Sequence, residues 1–170
     1  KFGVRQKEQI RSLKNGINVI SLSATPIPRT LNLSLSKVRD ISLITTPPTG
    51  RKSVKTIVSR YSKSLVFEAI QREFYRDGQV FYLLNNVSML EEKKKEISDR
   101  FPDKKIAFAH GQLRPKELSK VMESFIRKEI DLLVCTTIIE SGIDIENANT
   151  LIVEESENYG LSQLHQIRGR

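Results

Sequence analysis

Beyond residue 60 the chain alternates short apolar runs with longer segments whose apolar residues recur at helical spacing. Four runs are of strand length: Gln79–Leu84, Lys105–Ala109, Asp131–Cys135 and Thr150–Glu154. Between and after them, Ser64–Arg76, Val87–Phe101, Arg114–Arg127 and the stretch from Leu161 onward carry apolar positions three and four apart, which predicts amphipathic helices. Val54–Arg60 reads as a further strand. Continuous apolar strands separated by helices of ten or more residues describe a parallel sheet covered on both faces, because an alternating strand would leave one face to water. Right-handed crossovers then make it doubly wound. In such a sheet function gathers beyond the carboxyl ends of the strands, in loops that begin here near Asn85, His110, Thr136 and Glu155.

The first fifty residues follow another pattern. Val4–Lys14 places Ile10 and Leu13 on one helical face and ends at Asn15-Gly16, a C-terminal cap pair. Val19–Leu22 reads as a short buried strand. Ser23-Ala24-Thr25-Pro26-Ile27-Pro28 then ends regular structure, since neither proline donates to a ladder; Ser23 and Thr25 are also placed to cap a short helix from Arg29. Arg39–Lys52, containing Thr45-Thr46-Pro47-Pro48-Thr49-Gly50, has linker composition. The expected boundary divides 1–49 from 50–170.

Composition narrows the class. With 38% hydrophobic and 28% charged residues over 170 positions, the chain has material for a core and is neither collagen-like nor disordered. The apolar runs are far short of the roughly 20 residues of a membrane-spanning helix, so no membrane partner is expected. The one cysteine, Cys135, lies inside an apolar run and reads as a buried, reduced thiol of a cytoplasmic protein. An opening Lys1-Phe2-Gly3-Val4-Arg5 has no apolar leader, and a fragment of a longer protein is expected. The net charge is +8, and its distribution says more than its size: Lys1–Lys63 holds 13 Lys and Arg against only Glu8 and Asp40. Such asymmetry points to a surface that meets phosphate, although a solvated basic tail would count the same.

Three strand-end loops carry unusual polar groups. After Cys135 come Thr136-Thr137-Ile138-Ile139-Glu140-Ser141-Gly142-Ile143-Asp144, in which hydroxyls and backbone amides suit phosphate oxygens and an aspartate suits ribose hydroxyls or a cation. After Ala109 come His110-Gly111-Gln112, and the last residues are Gln166-Ile167-Arg168-Gly169-Arg170. His110 and His165 read as hydrogen-bonded structural residues, since no Cys or His pair has zinc spacing. No Gly-x-x-x-x-Gly-Lys-[Ser/Thr] occurs and no strand ends in an Asp-Glu pair, so these residues alone lack a nucleotide-hydrolysing core.

In order and spacing, the segment Ser23–Leu31, then His110-Gly111-Gln112, then Thr136–Asp144, then Gln166–Arg170 resemble motifs III, IVa, V and VI of superfamily 2 helicases and translocases. Ala-Thr-Pro-Ile-Pro-Arg-Thr-Leu, Cys-Thr-Thr-Ile-Ile-Glu-Ser-Gly-Ile-Asp and Gly-Leu-Ser-Gln-Leu-His-Gln-Ile-Arg-Gly-Arg resemble the branch that contains RecG and the bacterial transcription-repair coupling factors, and the residues around Phe2–Glu8, Arg39–Ser42 and Thr46–Pro48 are closer to the latter. The likeness implies a RecA-like α/β fold. Residues 1–49 would be the trailing edge of a first motor domain, and 50–170 most of the second.

It also implies roles. Ser23, Thr25 and Arg29 would relay the state of the ATP site to the DNA grip. His110, Gly111, Thr136 and Thr137 would touch a double-stranded DNA backbone, Gly142 and Asp144 the nucleotide, and Gln166 and Arg170 its phosphates. Arg170 would be catalytic, because a guanidinium across the cleft stabilises charge that builds on the transferred phosphoryl group. ATP and Mg2+ would serve the complete motor, with none held tightly by this portion. RNA polymerase and the excision-repair machinery would be partners of the full-length protein. One departure stands out: motif VI in the family runs on to a second arginine past Arg170. Two other readings stay open, a RecG-like branched-DNA helicase and a non-catalytic basic DNA-binding module.

Overall fold

In the computed structural model the described residues are 53–137, 145 and 147–168, with isolated positions 20, 42, 44, 46 and 50 before them. The sequence elements expected before residue 50 therefore lie outside the described residues, except that Ile20, within the expected Val19–Leu22 strand, is exposed and in no strand. The described elements are α1 (Lys63–Tyr75), β1 (Val80–Leu83), a 3-10 turn (Val87–Met89), α2 (Leu90–Arg100), β2 (Ile106–Ala109), α3 (Pro115–Ile126), β3 (Leu132–Cys135), β4 (Thr150–Val153), a second 3-10 turn (Ser156–Asn158) and α4 (Leu161–Arg168).

Each helix starts where its sequence supplies a partner for free backbone amides. Ser62 caps α1 by accepting from the Leu65 amide. Pro115 opens α3, and the Glu117 carboxylate accepts from the Arg114 amide. The charged stretch expected as one helix over Val87–Phe101 is divided instead. Asn86 accepts from both the amide and the hydroxyl of Ser88, which stabilises a tight 3-10 turn before the α-helix takes over at Leu90.

The four strands form one parallel sheet in the order β2-β3-β1-β4. Register is continuous across it: Leu83 lies opposite both Cys135 and Val153, and Ala109 opposite Cys135. Alternate residues of β1 feed two cores. Val80 and Tyr82 join Ile70 of α1 and Leu90 and Ile97 of α2 on one face. Phe81 and Leu83 join Met122 and Phe125 of α3, together with Tyr159 and Ile167 of α4, on the other. A helical layer on each face of a parallel sheet is the arrangement expected from the apolar runs and the RecA-like α/β fold that the resemblance implies.

The residues expected as a strand over Val54–Arg60 form none. Residues 53–59 are without regular structure, and Val54, Ile57 and Val58 are 61%, 65% and 88% exposed. An apolar run becomes a strand only beside a partner edge, and these residues pair with neither β2 nor β4.

The amino-terminal edge of the sheet is tied by buried polar groups. Glu73, 1% exposed, accepts from Arg76 and from the Thr150 hydroxyl, which binds the end of α1 to the start of β4. A Cβ at Gly78 would sit 1.8 Å from the Glu73 carboxylate, so the turn that leads into β1 admits only glycine without displacing it. Gln79 donates to the carbonyls of Phe125 and Ile130, both at 2.7 Å.

Phe125 is fully buried and packs against Phe81 with ring centroids 4.8 Å apart. Phe125→Ala is expected to lower the unfolding free energy by about 3–5 kcal/mol, while Tyr75→Ala, at a 95% exposed position, changes it by less than about 0.5 kcal/mol. Urea titration of the two variants checks this, and equal midpoints would contradict the packing described.

Candidate nucleotide and nucleic-acid interface

Parallel register brings four loops to one edge. The ladder runs one residue past the strands: the Leu84 amide donates to Cys135 O (2.9 Å), the Thr136 amide to Ala109 O (3.3 Å) and the Glu154 amide to Leu83 O (3.0 Å). The loops thus leave the sheet in a row in the order His110, Thr136, Leu84, Glu154. The chain after β1 heads for the α1 and α2 face, whereas Ile145, Ala148 and Tyr159, which follow β3 and β4, pack on the other. Neighbouring strands whose connections leave toward opposite faces open a crevice at their carboxyl ends, the usual ligand position in such sheets.

On that edge the structure unites some of the candidate residues and separates others. His110 and Gly111 follow β2, Thr136 and Thr137 follow its neighbour β3, and strands so paired lie about 4.8 Å apart. Both threonines are half-buried. Gln166, also half-buried, lies on α4, which follows β4, two strands from β3. Of the residues assigned to the nucleotide, only Gln166 is among the described residues. Ser23, Thr25, Arg29, Gly142, Asp144 and Arg170 lie outside the described residues.

Individual geometries refine the picture. The His110 ring stacks on Phe108, with centroids 6.1 Å apart and planes within 5°. Its Nδ1 is buried with no hydrogen-bond partner, so stacking holds this side, where the sequence had suggested a hydrogen bond. His165 does have one, 3.2 Å from Nδ1 to the Arg168 guanidinium. Among the described residues no three His, Cys, Asp or Glu side chains are grouped to hold a metal ion. No described helix is long and apolar enough to cross a membrane.

Sequence reasoning passed over the residues at the far side of this edge. Glu154, at the end of β4, accepts from the Tyr82 hydroxyl and lies 3.4 Å from the ammonium of Lys93 on α2. A carboxylate directly after Thr150–Val153 is visible in the sequence, but nothing there joins it to a lysine 61 positions earlier.

A doubly wound parallel sheet with His110, Thr136 and Thr137 at its carboxyl edge is the arrangement that a RecA-like helicase domain would show. Residues 63–170 match the helicase conserved C-terminal domain, and the chain belongs to that family. Across all 170 residues it is 52% identical to the transcription-repair-coupling factors of Staphylococcus aureus strain USA300 and of Staphylococcus epidermidis, spanning 15% and 14% of their lengths. A solved structure of RecG bound to a three-way DNA junction superposes on 86% of this chain and 20% of that one, with TM-score 0.70 and 38% identity.

Cys135, the residue before Thr136, has its thiol pKa pushed well above the usual range by burial. A thiol with a raised folded-state pKa stabilises the fold below its unfolded pKa and loses that contribution as pH rises toward the folded one. At pH 8 Cys135 is therefore expected to resist iodoacetamide in the native protein and react on unfolding in urea. Mass spectrometry reads the alkylated fraction, and full labelling of the folded chain would contradict the burial.

Proposed function

We propose that this chain is part of an ATP-dependent translocase on double-stranded DNA that displaces stalled RNA polymerase and couples transcription to nucleotide-excision repair. The observation that carries the reading is 52% identity over every residue of the chain to transcription-repair-coupling factors. Residues 1–49 then close a first motor domain and 50–170 form most of the second.

In this reading His110, Gly111, Thr136 and Thr137 grip the DNA backbone through hydroxyls and amides, which contact phosphates without reading bases. Gly142 and Asp144 face the nucleotide. Gln166 and Arg170 reach its phosphates, and Ser23, Thr25 and Arg29 relay the state of the cleft. The Gln166 amide and the Arg170 guanidinium would donate to ATP phosphate oxygens. When bound, ATP supplies the phosphoryl group whose transfer drives movement. Mg2+ would accompany it on ligands outside the described residues.

RecG-like action on branched DNA is the second reading, favoured by the superposition on junction-bound RecG. Full-length protein assayed on a stalled polymerase and on a three-way junction separates the two. Release of polymerase without junction unwinding supports coupling, and the reverse result replaces it.

Two outcomes are expected. The isolated 170-residue chain binds duplex DNA weakly, without sequence preference and less as salt rises, and shows no DNA-stimulated ATPase. In the full-length protein, Arg170→Ala lowers hydrolysis by roughly 10³-fold or more with DNA affinity nearly intact. Thr136→Ala with Thr137→Ala keeps basal hydrolysis and loses its stimulation by DNA. Basal ATPase, stimulated ATPase and displacement of a DNA-bound obstacle are measured for each; equal loss of basal hydrolysis in both would overturn the division of roles.

A further inference from the structure

Lys93 is the only lysine among the described residues whose side chain is buried, 8% exposed on the otherwise strongly charged helix α2. Its ammonium meets three acceptors from three parts of the fold: Glu96 Oε2 of the same helix at 2.9 Å, Glu154 Oε2 after β4 at 3.4 Å, and the Tyr61 hydroxyl at 3.1 Å. The Tyr82 hydroxyl of central strand β1 donates to the same Glu154 oxygen. Lys63 of α1 closes the cluster from outside, 2.7 Å from Glu96. Burial alone would lower the Lys93 pKa, but Glu96, Tyr61 and Glu154 outweigh that loss and hold it above the ordinary lysine value.

The positions of the two outer anchors give the cluster meaning. Tyr61 ends the exposed, irregular segment 53–60 and immediately precedes Ser62, the cap of α1. Glu154 is the last residue held on the α1 and α2 face. Glu155 follows in the left-handed region at φ 51, and the chain turns across the sheet edge to bury Tyr159 on the opposite face. Gly160 and Gln163 then start α4, with the Gln163 side chain accepting from the Gly160 amide at 3.0 Å. Where Glu154 sits therefore decides where α4 begins, and α4 carries Gln166.

We propose that Lys93 is a positioning residue that latches the incoming segment, through Tyr61, to the strand end that sets α4, through Glu154. The latch rests on the motor reading for its purpose: it makes a pull on the residues before α1 felt at the phosphate-facing helix. Lys93 itself touches neither DNA nor nucleotide in this scheme. A buried ammonium that holds three acceptors from separate segments suits such a task, because loss of its charge releases all of them at once.

The test uses the full-length protein with Lys93→Met, which keeps the length and removes the charge, Lys93→Arg, which keeps the charge, and Tyr61→Phe, which removes one acceptor at a half-exposed site. Two readouts are taken: steady-state ATPase with duplex DNA, and hydrogen–deuterium exchange over residues 155–168. Lys93→Met is expected to lower the DNA-stimulated kcat about 10-fold with KM for ATP changed less than about 2-fold, since a displaced group fails mainly in the transition state. It is also expected to speed exchange across 155–168 selectively. Lys93→Arg restores most of both. Tyr61→Phe lowers DNA stimulation by a smaller factor, about 3-fold, and serves as the test if Lys93→Met does not fold. A folded Lys93→Met with parental kcat and parental exchange overturns the latch, as does an arginine variant as impaired as the methionine one, or, where Lys93→Met does not fold, a Tyr61→Phe variant with parental stimulation. Wild-type protein with no DNA-stimulated hydrolysis overturns the motor reading instead, and the exchange measurement, which needs no turnover, still decides whether Lys93 sets α4.

Discussion

The arrangement hangs on the double burial of β1. Val80, Tyr82 and Leu83 have no exposed surface and Phe81 only 9%, so each face of the central strand must be covered by helices. A parallel strand also needs both neighbours to satisfy its amides and carbonyls, which β3 and β4 do. Both neighbours run parallel to it, as does β2 beside β3. All four carboxyl ends then fall on one edge.

Polar groups act as fasteners on this frame, and they are distributed unequally. At the amino edge Glu73, Gln79 and Asp131 bind helix ends and loops to strand starts with bonds that have no evident role beyond holding the fold. At the carboxyl edge the β2 and β3 loops hold two half-buried threonines and a buried imidazole nitrogen without a partner.

The Lys93 cluster stands between these two regimes. Its lysine is buried like Glu73 and Gln79 of the amino edge, yet the cluster sits beside the carboxyl end of β4 and takes in a residue that precedes α1. Removing the Lys93 ammonium would leave the half-buried Glu154 carboxylate without its cation, which costs more than losing the more exposed pair of Lys104 with Asp131.

Much of this was legible in one dimension. Apolar runs as dense as Val80–Leu83 and Leu132–Cys135 state that a strand is buried on both faces, because burial on both faces is the one setting that tolerates consecutive apolar residues in a strand. Ser62, Pro115 and Glu117 mark helix starts by local chemistry that needs no tertiary partner. His110, Gly111, Thr136 and Thr137 could be grouped because each directly follows such a run. Val54–Val58 has equally good strand composition and forms no strand, since pairing depends on an available edge, which no local pattern encodes. For the same reason the meeting of Tyr61, Tyr82, Lys93 and Glu154 was invisible: they belong to four separate segments, and only the packing of α2 over the sheet brings one ammonium within reach of them all.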